Sequence, residues 1–239
     1  MTLTKLSRVL LKLMGAGFLM LFVGALLMPG VRSSRPAALR AHSLNSMRNI
    51  GVALMKYSAL HNGHLPPAYT TDEQGNKLHS WRTLILPYMD ETALFQEIDL
   101  EKPWDDPVNE LARQTKVPGY WCPVMNPDSL QTTYMAITAS GGMFSGPDGI
   151  RIEDVNQMDG QTETLMLIEV PIKHAVHWME PIDADERLLE LLDDDHHHSK
   201  VHVIYADGHS ETLPTDIDRE TLKKLITCNG GEKIDPAQY

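Results

Sequence analysis

The chain has 239 residues, 22% of them charged, and a net charge of -11; nothing in it reads as a low-complexity tract or a fixed-period repeat. Residues 1–71 hold eight Lys or Arg and no acid, while the remainder holds 13 against 32 acids, a net -19. An acidic body of this kind repels a phosphate backbone, which excludes nucleic acid as a partner. Two cysteines, Cys122 and Cys228, are too few to define a disulfide scaffold or a zinc site, and leave open whether they are bridged.

Residues 13–31, LMGAGFLMLFVGALLMPGV, carry no charge. As a helix they reach about 28 Å, close to the roughly 30 Å of a bilayer's hydrocarbon core. Lys12 can extend its ammonium to the headgroups. This predicts an N-terminal membrane anchor with a basic flank over residues 1–35 and a folded body over 36–239. A cleaved secretory signal is the competing reading, with Lys5, Arg8 and Lys12 as its basic region. The long apolar run and the lack of a small-x-small site before Arg32 favour a retained anchor. The basic flank suits anionic lipid headgroups. Arg32, Arg35, Arg40 and Arg48 balance the three earlier cations, so charge asymmetry does not set orientation. An N-terminal anchor with a long C-terminal body is expected to be single-pass, with the body extracytoplasmic, on the periplasmic side.

In AALRAHSLNSMRNIGVALMKYSALHNG, apolar side chains at Leu44, Met47, Ile50, Leu54 and Tyr57 draw one stripe down a helix, ended by Asn62-Gly63 and Pro66-Pro67. Pro29 and Pro36 are expected to prevent one straight rod from the apolar run into this stripe. Residues 81–100, WRTLILPYMDETALFQEIDL, predict a short helical region interrupted at Pro87, with Leu94, Phe95 and Ile98 inward. A loop-rich stretch follows, with PWDDP, VPGYWCP and SGGMFSGPDG. TLMLIEV, 164–170, is short and almost wholly apolar, so it reads as a strand covered on both faces. KVHVIYADGHSETL alternates around Asp207-Gly208, a strong hairpin signal. Helix first and mostly antiparallel strands later give an α+β body.

The run DDDHHHSKVHVIYADGHS, 193–210, raises a metal or catalytic reading. With Asp207-Gly208 as a two-residue loop, Ala206 lies opposite His209 and Ile204 opposite Glu211. His202 and His209 then share a face about 13 Å apart, too far for one ion. His196 and His198, helped by Asp195, form at best a loose chelate, against the simpler reading of a solvated loop between an LLELL helix and the hairpin. There is no Gly-x-Ser-x-Gly, His-Glu-x-x-His or phosphate-cradling glycine loop. No catalytic residue, metal ligand or cofactor is therefore assigned. Asp207 is expected to take the left-handed conformation of a tight turn.

His197, nine residues, then Asp207-Gly208 resembles the motif of the prepilin-type "His, nine residues, Asp-Gly" proteins, the bacterial domain of unknown function 1559. NSMRNIGVALMKY with HNGHLPPA, SWRTLILPYMDETALFQEIDL, PWDDPVN, WCP, MDGQTETLMLIE and TLKKLITCNGGE agree in order. The resemblance implies a pilin-like architecture, an N-terminal hydrophobic helix continuing into an amphipathic helix packed on an antiparallel β-sheet, and no catalytic activity. Where members carry a prepilin-peptidase signal this chain has Ser7 for the glycine and Lys12 for the glutamate; the alternative register at Gly17-Phe18 puts Phe22 at the acid. These departures predict a permanently anchored protein rather than a processed subunit. Ser43 stands where many members have cysteine and Cys228 where a basic residue is expected, which leaves Cys122 paired with Cys228 or both as thiols.

The expected function is thus a membrane-anchored, pseudopilin-like structural or interaction protein of the bacterial cell envelope. Its expected partners are the bilayer through the N-terminal helix and other pilin-like or secretion-system proteins. The alternative is an extracytoplasmic metal-binding or pH-sensing module built on residues 193–198; a hydrolase using His197 and Asp207 ranks third.

Overall fold

Residues 3–144, 149–155, 159–189, 200–228 and 230 are described in the computed structural model of the protein. Two compact units, Met1–Ala41 and His42–Tyr239, divide the chain. Helix α1 is Leu3–Leu60, so Pro29 and Pro36, expected to prevent one straight rod, lie inside one helical element. Each proline withdraws one backbone donor, and the flanking turns keep theirs. In the first unit Leu13, Met14, Phe18, Leu19, Met20 and Phe22 are exposed. Among the described residues no helix is long and apolar enough to cross a membrane; in the expected span, the side chains of 21 and 23–31 lie outside those residues.

In the second unit the stripe predicted on α1 turns inward: Met47, Ile50 and Leu54 are fully buried, and Leu44 and Tyr57 half-buried. The helix ends where Asn62-Gly63 required. Asn62 (φ 55) and Gly63 (φ 84) are both left-handed, and the Gly63 N–H closes back on the Ser58 carbonyl at 2.9 Å. Strands β1 (Tyr69–Thr71) and β2 (Lys77–Ser80) form an antiparallel hairpin. Helices α2 (Trp81–Leu84) and α3 (Thr92–Gln96) flank a single 3-10 turn at Leu86–Met89, the expected interruption at Pro87. Helix α4 (Glu110–Arg113) leads through loops to β3 (Gln131–Thr132) and β4 (Tyr134–Ala136). Helix α5 (Ile152–Val155) precedes β5 (Leu165–Glu169); β6 (Val176–His177) pairs with β3, and α6 is Glu186–Leu189. The chain then forms β7 (Lys200–Tyr205), β8 (Ser210–Pro214) and α7 (Arg219–Ile226).

The main sheet is antiparallel in the order β4-β5-β7-β8, which makes the body α+β. As expected of TLMLIEV, every residue of β5 is buried. Met47, Ile50 and Leu54 pack with Tyr134, Leu167 and Ile204 on one face. Ile168, Val203, Tyr205 and Leu213 pack with Leu222, Leu225 and Ile226 of α7 on the other. The β7–β8 loop differs by one residue from expectation. Tyr205 N–H donates to the His209 carbonyl (3.0 Å) and Ile204 lies opposite Ser210. The loop is therefore Ala206-Asp207-Gly208, with only Gly208 left-handed (φ 87). A turn ending in a left-handed glycine is the common three-residue hairpin solution. The α1 backbone comes close to this loop. A Cβ at Gly51 would stand 3.2 Å from the Gly208 carbonyl oxygen, and one at Gly208 3.0 Å from Met55 Cγ.

Candidate functional site

A buried polar cluster sits between α1 and the sheet, and alternation along the strands explains it. Val201, Val203 and Tyr205 face α7, so His202 and Ile204 face α1. In β5 the register shifts between Leu165 and Leu167; Met166 and Leu167 then both join the α1 side, Ile168 turns away, and Glu169 returns beneath the helix.

Glu169 is 3% exposed, His202 2% and Ser43 1%. Ser43 Oγ of α1 donates to Glu169 Oε1 at 2.6 Å, and the Tyr134 hydroxyl lies 3.0 Å from the same Oγ. Cys122 Sγ (3.3 Å) and Thr133 Oγ1 (3.5 Å) also donate to Oε1, while His202 Nδ1 stands 2.5 Å from Oε2. Burial, aided by the Glu169 charge, pushes the Cys122 thiol up to about 12, so it stays protonated and donates. The same two causes raise the Tyr134 phenol. The carboxylate is thus saturated by donors from α1, from β7, from the loop holding Cys122 and from Thr133 in the link between β3 and β4.

This order of groups does not fit acyl transfer. A nucleophilic triad places the imidazole between hydroxyl and carboxylate, so that the imidazole removes the hydroxyl proton. Here the carboxylate lies between the two, and the hydroxyl is buried. The arrangement clamps α1 onto the sheet.

A second buried group stands at the start of α2. Arg82, fully buried, pairs with Asp183 at 2.7 Å. It also donates through Nε and Nη2 to the Tyr134 carbonyl (3.1 and 3.0 Å) and through Nη1 to Ser80 Oγ (2.8 Å). Asp183 Oδ1 further accepts from Trp81 Nε1 (2.9 Å) and the Ala136 N–H (2.8 Å). The segment preceding α6 is thereby held along β4.

The residues singled out in the sequence are dispersed. Asp193–Asp195 and His196–His198 lie outside the described residues. His202 belongs to the clamp. His209 stacks on Tyr205 with ring centroids 4.3 Å apart and has a different partner, its Nδ1 donating to Asp207 Oδ1 at 2.6 Å. The one-residue change of register puts His202 and His209 on opposite faces, correcting the expectation that they share one. Asp207 is not left-handed; its carboxylate takes the His209 N–H at 2.9 Å instead. Cys122 and Cys228 are buried and not joined in a disulfide. Among the described residues no group of three or more His, Cys, Asp or Glu could hold a metal ion. Glu169 and Arg82 were missed because their partners are distant in sequence. The available signal was a lone carboxylate inside the apolar run of β5.

Two other histidines give a pH dependence. Burial depresses the pKa of His79 and of His177 below the ordinary 6.5. Both are neutral in the fold, His79 Nε2 donating to the Lys102 carbonyl at 2.7 Å. In the unfolded chain they take up protons first, so their contribution to stability is complete above about pH 6.5 and declines as pH falls toward the folded values. Thermal unfolding from pH 7.5 down to 5 is expected to show a falling midpoint. Changing both to Gln flattens that slope; an unaltered slope would contradict the assignment.

No curated protein and no solved structure matches the chain. A family model described as a protein of unknown function (DUF1559) matches residues 32–138. That stretch contains Ser43, Arg82, Cys122 and Tyr134, and over it the chain is similar to the DUF1559 family.

Proposed function

We propose that the protein is a membrane-anchored, pilin-like structural or interaction protein of the bacterial cell envelope. Its N-terminal helical segment lies in the bilayer, its body on the periplasmic side, and it performs no catalysis. The observation that carries this reading is the exposure of Leu13, Met14, Phe18, Leu19, Met20 and Phe22. At 100° per residue these six positions point to all sides of a helix, which suits lipid on every side better than one protein neighbour. The uncharged run to residue 31 supplies the length. The body supports a non-catalytic role: its most elaborate polar cluster is buried, and the carboxylate there is saturated by the protein's own donors.

Alkaline carbonate extraction of membranes from cells making the full chain, followed by intact mass, tests this. The protein is expected in the pellet with residues 1–35 intact. Release into the carbonate supernatant would refute the anchor, and a shortened, methylated N-terminus would refute retention.

A further inference from the structure

On the sheet face opposite α1, a groove of about 340 Å³ runs beside α7, at the small end of ligand pockets. Its floor is apolar: Ala139, Leu222 and Ile226 line it and are largely buried within the core. One wall carries Arg219 and Lys223, one helical turn apart. The other carries Ser140 and Glu186, where the Ser140 N–H donates to Glu186 Oε1 at 2.5 Å. That backbone donor, followed by the N–H of Glu186 itself, holds the Glu186 carboxyl below its ordinary range. The groove therefore already binds a carboxylate, one of the chain's own, at the edge of an apolar floor facing two cations.

We infer that this groove binds an apolar molecule ending in a carboxylate, of the medium-chain fatty acid class. The chain lies on Leu222 and Ile226, and the carboxylate reaches Lys223 and the Ser140 N–H in competition with Glu186. A peptide fits less well. The α7 wall has its interior backbone groups bonded within the helix, so the amides of an extended peptide would be desolvated there without partners. The inference goes beyond the proposed function and rests on residues of the body alone.

Calorimetric titration of sodium octanoate into the full chain in lipid nanodiscs, corrected with empty nanodiscs, tests it. One equivalent is expected to bind. Lys223→Glu is expected to weaken binding at least tenfold, and octanol to bind at least tenfold less tightly than octanoate. Glu186→Gln is expected to tighten binding several-fold, because the internal carboxylate no longer competes. Both substitutions are at exposed positions, and an unchanged melting midpoint verifies the fold. Absence of saturable heat, equal binding by Lys223→Glu, or unchanged or weaker binding by Glu186→Gln would each overturn the proposal.

Discussion

Replacing Arg82 by Met is expected to destabilise the body by about 3–5 kcal/mol, the usual cost of removing one partner from a buried ion pair. The guanidinium is fully buried and Asp183 nearly so. Its loss strands more than the Asp183 charge: the Tyr134 carbonyl and Ser80 Oγ lose donors together. Burial already pushes the Asp183 carboxyl up while the Arg82 charge pulls it down. Without Arg82 only the first of these opposing effects remains, so the folded variant takes up a proton at Asp183 more readily than the unfolded chain. The loss of stability is therefore larger at pH 7.5 than at pH 5. Urea unfolding at the two pH values measures it, and the paired change Arg82→Met with Asp183→Leu is expected to recover part of the loss. A single substitution costing under about 1 kcal/mol, the range of an exposed pair, would show that the pair is not buried as described.

Replacing Glu169 by Ala is expected to be comparably severe, at about 3–5 kcal/mol. Ser43, Cys122, Thr133 and His202 all lose an acceptor at a buried site. Glu169→Gln keeps the volume but turns an amide N–H₂ toward groups that also donate, so an intermediate loss is expected. Hydrogen exchange distinguishes this from general loosening. Amides of residues 43–58 in α1 should lose more protection than those of α7, which packs on the opposite face.

These two clusters also mark where the sequence stopped being legible. The stripe Met47, Ile50, Leu54 was readable because helical period alone determines which side chains meet a core. The β5 strand and the β7–β8 hairpin were readable from their short apolar and alternating runs. The register of that hairpin was not. Asp-Gly signals a turn equally well as a two-residue loop or as the end of a three-residue one, and a shift of one residue moved His202 from the face of His209 to the face of Glu169. Residues such as Ser43 and Glu169, 126 apart, carry no periodicity that would associate them. Only the fold brings them together. Helix α7 went unread because its apolar face amounts to Leu222, Leu225 and Ile226 in an eight-residue element, too short for a period to stand out. The acidic and histidine-rich run at 193–198, conspicuous by composition, has no counterpart among the described residues, while the polar residues that organise the body are single ones in apolar surroundings.

Helix α1 is clamped to the sheet through Glu169. A double-mutant cycle of Ser43→Ala and Glu169→Gln, read by urea unfolding of each variant, tests it most directly. The 2.6 Å contact predicts a coupling of about 1 kcal/mol or more between the two positions. Strictly additive effects, with the denaturant slope unchanged throughout, would place helix and carboxylate apart and contradict the account.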